Sequence, residues 1–198
     1  MLTFQADAKT EKFVFDFLFG KGKKHHNNTT LLTFAKKKLN EPYPNQETIH
    51  SLIADYNKHW DSIKQNYLDL VSNFYGYKCL EPEISVYLSR LPRHPYDFSG
   101  DTPWFGAPLS FDSKKTMHVI CHELLHYFQP SQLPYLIKES IPVILNHPSF
   151  KLETSDAGLN DPETNYYRKM VWDIYSKGKT YSTFLEAVKA KPYCKKIT

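Results

Sequence analysis

The feature that most constrains this 198-residue chain is the segment His122-Glu123-Leu124-Leu125-His126. It lies within residues 113–128, which contain neither glycine nor proline, and Asp112 or Ser113 can cap a helix that begins there. Apolar residues recur in this stretch at spacings of three and four, as on one face of a helix: Met117, Ile120, Cys121, Leu124, Leu125 and Phe128. The sequence therefore predicts an amphipathic helix over residues 113–128.

The opposite face of this predicted helix carries His122 and His126. Two positions four residues apart lie about 40° from each other on a helix, so both imidazoles can bind one Zn²⁺. Glu123 lies on the flank, where its carboxylate can act on a water held by the metal. The alternative is a pair of exposed surface histidines, but the phasing with the apolar face favours a catalytic zinc site.

The third zinc ligand has two candidates after this helix, Glu139 and His147, because a catalytic zinc usually has three protein ligands. Proline is tolerated in the first turn of a helix, so Pro142 favours a helix from about residue 138 to about residue 146. Glu139 would then lie at the helix start, facing back across a loop toward the zinc. We predict Glu139 as the ligand and keep His147 as the reserve; alternatively, Glu139 only favours a helix N-terminus through the dipole.

The stretch over residues 116–146, TMHVICHELLHYFQPSQLPYLIKESIPVILN, resembles the compact peptidases of the gluzincin clan. In these enzymes a zinc helix and a short loop precede a Glu ligand and an apolar helix. The resemblance implies that His122, His126 and Glu139 bind zinc and that Glu123 is the general base.

The chain departs from the gluzincin pattern in two respects. The spacing between the second histidine and Glu139 is shorter than in the thermolysin type. Many gluzincins also have an acidic residue four positions after the third ligand, where this chain has Val143. The resemblance therefore leaves open the subfamily and the residue that would orient His122.

Many gluzincins carry a tyrosine or histidine on a later helix that hydrogen-bonds the oxyanion of the tetrahedral intermediate. Asp161 followed by Pro162 predicts the start of such a helix, which runs to about residue 176. Tyr166 and Tyr167 resemble the oxyanion element by their order in the chain. The alternative is that these tyrosines pack in the core.

Beyond the motif, the pattern predicts an α+β fold. Residues 45–75 have the spacing of one long amphipathic helix, and residues 84–88 alternate like a strand. Residues 104–111 form a second extended segment, and its proline favours an edge strand. In zincins an edge strand borders the cleft and pairs with an extended substrate, so the resemblance implies this role for residues 104–107; the alternative is an ordinary edge strand with core aromatic residues. The resemblance implies a zincin-like fold, mostly helical, with a small mixed sheet packed on the zinc helix. We expect a helical N-terminal region at 1–80 that packs on a catalytic core at 81–198.

The composition of the chain indicates which compartment and which classes of partner to expect. The net charge of +4 is mild, and we find no nucleic-acid motif, no membrane-spanning window and no signal peptide. The three cysteines, Cys79, Cys121 and Cys194, are scattered and form no metal motif, which agrees with a reducing compartment. We therefore expect a cytoplasmic protein without nucleic-acid or membrane partners.

These observations predict a zinc metallopeptidase that acts on a peptide or protein substrate with Zn²⁺ as cofactor. A catalytically idle zincin-like domain, in which structural zinc supports a protein-interaction module, is the main alternative. A zinc hydrolase of non-peptide amides is a third. Glu123 favours an enzyme, because a structural site needs no general base. The oligomeric state is not predicted.

Overall fold

The computed structural model describes residues 1–21, 23, 27–158 and 161–189, so that Cys194 lies outside the described part. The helices are α1 (Ala8–Phe19), α2 (Thr29–Asn40), α3 (Gln46–Tyr75), α4 (Ser113–Phe128), α5 (Tyr135–Ser140), α6 (Pro162–Tyr175) and α7 (Tyr181–Lys189), with a 3-10 helix at Ile141–Asn146. The strands are β1 (Leu2–Gln5), β2 (Ile84–Ser89), β3 (Tyr96–Asp97) and β4 (Trp104–Pro108). The predicted α+β class, mostly helical with a small mixed sheet, is confirmed. No helix within the described ranges has both the length and the apolar character to cross a membrane.

The sheet has the strand order β1-β2-β4-β3, in which β1, β2 and β4 are parallel and β3 is antiparallel to β4. The prediction that residues 104–111 form an edge strand is wrong, because β4 lies between β2 and β3. Gly106 allows the chain at Pro95, just before β3, to approach β4 closely. A Cβ at this position would lie only 3.0 Å from Pro95 Cδ, and the Gly106 N–H donates to the Pro95 carbonyl at 2.7 Å. Strand β3 is therefore the edge on this side of the sheet, and β1 is the edge on the other side.

The chain forms two compact units. The first comprises Met1–Ser62 and Glu81–Glu123, and the second comprises Ile63–Leu80 and the residues from Leu124 onward. The division that the sequence predicts, with a boundary at residue 80, stays a prediction. Residues 1–80 contain β1 as well as helices.

In the first unit, a hydrogen-bonded tyrosine fixes the start of α4. Tyr56 on α3 is fully buried, and its hydroxyl donates to the Pro108 carbonyl at 2.7 Å. The same hydroxyl lies 2.9 Å from Thr116 Oγ1 in the first turn of α4. Because an unpaired buried hydroxyl would be costly, these contacts define where β4 ends and α4 begins.

In the second unit, α6 is joined to the segment that carries Glu139. The Ser140 hydroxyl lies within hydrogen-bond distance of the Thr164 carbonyl, at 3.2 Å. The loop before α6 is held by the buried Asp156, whose carboxylate pairs with Arg168 at 3.2 Å and whose backbone bonds to Asn146. These polar contacts give α5, the 3-10 helix and α6 a defined arrangement.

Candidate metal centre

Helix α4 has the bounds and the orientation that the sequence predicts. Its apolar residues Met117, Ile120, Cys121, Leu124 and Leu125 are all buried. The carboxylate of Asp112 accepts the backbone N–H of Lys115 at 3.2 Å, as an N-cap does. His122 is partly buried, whereas His126 is only 4% exposed. The second histidine is therefore more enclosed than its position opposite the apolar face suggests.

Glu139 lies in the last turn of α5, and the prediction that a helix begins near residue 138 is wrong. Helix α5 begins at Tyr135, directly after Pro134, and no side chain caps its N-terminus with a hydrogen bond. Pro142 does stand in a first helical turn, but it is the first turn of the 3-10 helix. Glu139 is thus presented from the C-terminal end of a short α-helix, and its side chain is buried, with an exposed fraction of 10%.

Three side chains come together as the spacing predicts. Ligand atoms of His122, His126 and Glu139 all lie within 4.8 Å of one another, and His126 Nε2 is 3.6 Å from Glu139 Oε1. Ligand atoms bound to one tetrahedral zinc at 2.0–2.1 Å lie about 3.3 Å apart, so small adjustments would suffice. The two histidines share one continuous helix, and His126 and Glu139 share one compact unit. Two imidazoles and one carboxylate form a donor set that suits Zn²⁺.

His147 does not belong to this group of ligand atoms. Its Nδ1 lies 2.7 Å from the hydroxyl of Ser149, and its ring packs against the rings of Trp172 and Tyr175. The geometry therefore favours Glu139 over the reserve candidate as the third ligand.

Gln129 is a site residue that the sequence analysis missed. Its Oε1 lies 2.8 Å from Nδ1 of His126, and both side chains are buried. A metal-binding histidine commonly uses its second ring nitrogen for such a contact, which fixes the orientation of the ring. The signal was present in the sequence, since residues three apart near a helix end lie on the same side.

Neither models of protein families nor curated proteins nor solved structures match this chain.

The remaining predicted site residues are on α4 and α6. Glu123 is partly buried and follows the first histidine directly. Tyr167 is buried at 5% exposure, whereas Tyr166 is 49% exposed, and their rings meet edge to face. Helix α6 packs beside Glu139 through the contact between Ser140 and Thr164. A role for either tyrosine at the oxyanion stays a prediction.

His94 is a second residue that the sequence analysis passed over. Its Nδ1 is buried and has no hydrogen-bond partner among the described residues. Burial is the main cause that lowers the pKa of His94 from 6.5 to about 4, and the charges of Arg93, His122 and His118 lower it further. At neutral pH the imidazole of His94 is therefore uncharged.

We expect this depressed pKa to make the metal-free protein sensitive to acid. Between pH 6.5 and about 4 the unfolded chain binds a proton at His94 that the folded chain does not bind. The free energy of unfolding should therefore fall as the pH falls through this window, by at most about 3 kcal/mol from this residue. Urea unfolding at several pH values would measure it. The same curve for His94→Asn should be flatter, and equal slopes for the two proteins would contradict the prediction.

Proposed function

We propose that this chain is a zinc-dependent hydrolase of peptide bonds in which His122, His126 and Glu139 hold the metal. The observation that carries the proposal is the convergence of these three ligands within 4.8 Å, with Glu123 next to the first of them on the same helix. Two imidazoles and one carboxylate leave the fourth position of a tetrahedral zinc open. This composition is typical of catalytic sites, whereas structural zinc sites usually have four protein ligands.

Zinc at this position would supply a Lewis acid and lower the pKa of a water molecule. Glu123 would accept the proton of that water and later pass it to the amine that leaves the cleaved peptide bond. Tyr166 or Tyr167 would donate a hydrogen bond to the oxyanion that forms on the substrate carbonyl. Of the two, Tyr167 has the more enclosed side chain, so its hydroxyl would be held with less freedom.

We also propose a gluzincin-type assignment and a zincin-like fold. The first support for this assignment is the proposed Glu ligand that follows the zinc helix. The second is the order of elements along the chain, in which the edge strand β3 and the inner strand β4 precede the zinc helix α4. The proposal includes a cytoplasmic enzyme with a peptide or protein substrate. Non-peptide amides would need the same chemistry, and the idle domain with structural zinc is the alternative if turnover is absent.

The test begins with metal content, measured by mass spectrometry on the purified protein and on two variants. We expect one zinc per chain in the natural sequence, a strong loss in Glu139→Ala, and full occupancy in His147→Ala. A wild-type protein that retains no zinc, even after zinc is added, would contradict the proposal. Zinc that survives Glu139→Ala and disappears in His147→Ala would refute the ligand assignment.

A protein that binds zinc should then be screened against a mixture of peptides, with product termini identified by mass spectrometry. Cleavage that a chelator abolishes and added zinc restores is the expected result. Full zinc occupancy with no cleavage of any peptide or amide would favour the alternative, a structural site in a protein-interaction module.

A further inference from the structure

We propose that Gln129 is a positioning residue of the metal centre and that Pro142 enables it to act as one. This inference rests on the proposed zinc site but concerns residues outside the ligand set. It assigns to Gln129 the task of fixing which nitrogen of His126 carries the proton.

The orientation of the Gln129 amide is determined by a group that can only accept. Its Nε2 donates to the backbone carbonyl of Lys138 at 2.9 Å. A carbonyl oxygen has no proton to give, so the NH₂ end of the amide must face Lys138, and the oxygen end must face His126. Because an amide oxygen only accepts, Nδ1 of His126 must be the donor across the 2.8 Å contact. In the neutral imidazole, Nε2 of His126 then keeps its lone pair, on the side where Glu139 Oε1 lies 3.6 Å away.

The carbonyl of Lys138 is available for this contact because of Pro142. In a regular α-helix the carbonyl of residue 138 would accept the N–H of residue 142, four positions later. Proline has no N–H, so this bond cannot form, and the chain continues as the 3-10 helix Ile141–Asn146. The side chain of Gln129 takes the place of the missing donor.

The contact also joins the two segments that carry ligands in the second unit. Gln129 follows the end of α4, three residues after His126, and Lys138 directly precedes Glu139 in α5. One side chain therefore sets the ring of one ligand and holds the backbone beside the other. Partners of this kind typically change metal affinity about 10- to 100-fold when they are removed.

A glutamine is required here, because a carboxylate could not satisfy both neighbours. Glutamate at position 129 could still accept from Nδ1 of His126, but it could not donate to the Lys138 carbonyl. Gln129→Glu therefore keeps the hydrogen bond with His126 and removes the one with the Lys138 carbonyl, whereas Gln129→Leu removes both. Pro142→Ala offers the Lys138 carbonyl a backbone N–H that competes with Gln129.

The first readout is the tautomer of His126 in the metal-free protein, from ¹⁵N NMR of the imidazole. We expect a proton on Nδ1 in the natural sequence and in Gln129→Glu, and a shift toward the Nε2–H form in Gln129→Leu. Gln132→Leu is the matched control, since Gln132 is an exposed glutamine in the same loop. It should leave the tautomer unchanged. A wild-type His126 protonated on Nε2 and not on Nδ1 would overturn the proposal.

The second readout is zinc affinity, measured by competition with a chelating dye. Gln129→Leu should weaken binding about 10- to 100-fold relative to Gln132→Leu, with a smaller loss in Pro142→Ala. Equal affinities for the two Gln→Leu variants would overturn the proposal even if the protein binds zinc well. Failure of the natural sequence to bind zinc would refute the proposed function, while the tautomer measurement would still decide the role of Gln129.

Discussion

Under the proposed function, replacing Glu123 by Gln should leave zinc bound and reduce peptide hydrolysis by about 10²- to 10⁴-fold, the usual contribution of a general base. Gln has nearly the same shape as Glu, so helix α4 and the ligands His122 and His126 should keep their positions. The amide cannot accept a proton from water, and this is the property that the substitution removes. The effect should therefore fall on kcat, with zinc content and the unfolding temperature unchanged.

The measurement needs a control for the substitution itself. Glu163→Gln serves this purpose, because Glu163 is exposed in the first turn of α6. It should hydrolyse peptide at the wild-type rate. If Glu123→Gln hydrolyses peptide as fast as the Glu163 variant, Glu123 is not the general base. If Glu123→Gln loses its zinc, the residue acts on metal binding instead.

Replacing Arg90 by Leu should lower the free energy of unfolding by about 3–5 kcal/mol, as expected when one partner of a buried ion pair is removed. Glu11 on α1 is only 1% exposed, and its carboxylate lies 2.6 Å from Nη2 of Arg90. Arg90 also donates from Nη1 to the Pro42 carbonyl at 3.0 Å, just before α3. Leucine would leave the Glu11 charge buried with its main partner gone. A loss of this size is a large part of the about 5–15 kcal/mol that stabilises a typical domain.

Urea unfolding followed by circular dichroism would measure this loss, and α1 provides the matched control. Lys12 and Asp16 form an ion pair on the same helix, but both side chains are more than half exposed. Lys12→Ala should therefore change the free energy of unfolding by no more than about 0.5 kcal/mol. If Arg90→Leu and Lys12→Ala lose similar amounts of unfolding free energy, the buried Glu11–Arg90 pair stabilises the fold no more than an exposed pair does.

The long periodic elements could be predicted from the sequence, because their apolar spacing is a local property. Helices α3 and α4 and strand β2 lie where the pattern places them. Strands β1 and β3 were missed because they contain only four and two residues, too few for a period to be visible. They exist because β2 and β4 provide partners. The partner of β1 lies far away in the chain, at Ile84–Tyr87, whereas β3 pairs with the nearby β4, and neither pairing shows as a local pattern.

In the candidate site, too, local spacing could be predicted and contacts between separate segments could not. The spacing of His122 and His126 on one helix predicted that both could face one metal, and Glu139 joins them. The helix around Glu139 was misplaced because Pro142 was assumed to begin an α-helix, whereas Pro134 precedes α5 and Pro142 separates it from the 3-10 helix. The orientation of the Gln129 amide depends on the Lys138 carbonyl across a loop, and no sequence pattern reports such a contact.

The parallel pairing of β1 with β2 has a consequence for the order in which the chain folds during synthesis. Gln5 and its neighbours leave the ribosome before their partners, which follow roughly 80 residues later. Helix α3 lies within that interval and can form from local bonds while β1 still waits for β2. Closing so long a loop is entropically unfavourable, and the sheet can form only after β2 and β4 have been made. Strand β1 therefore stays without its sheet partner until residues 84–87 have been made, which is still before the candidate ligands His122, His126 and Glu139 are synthesised.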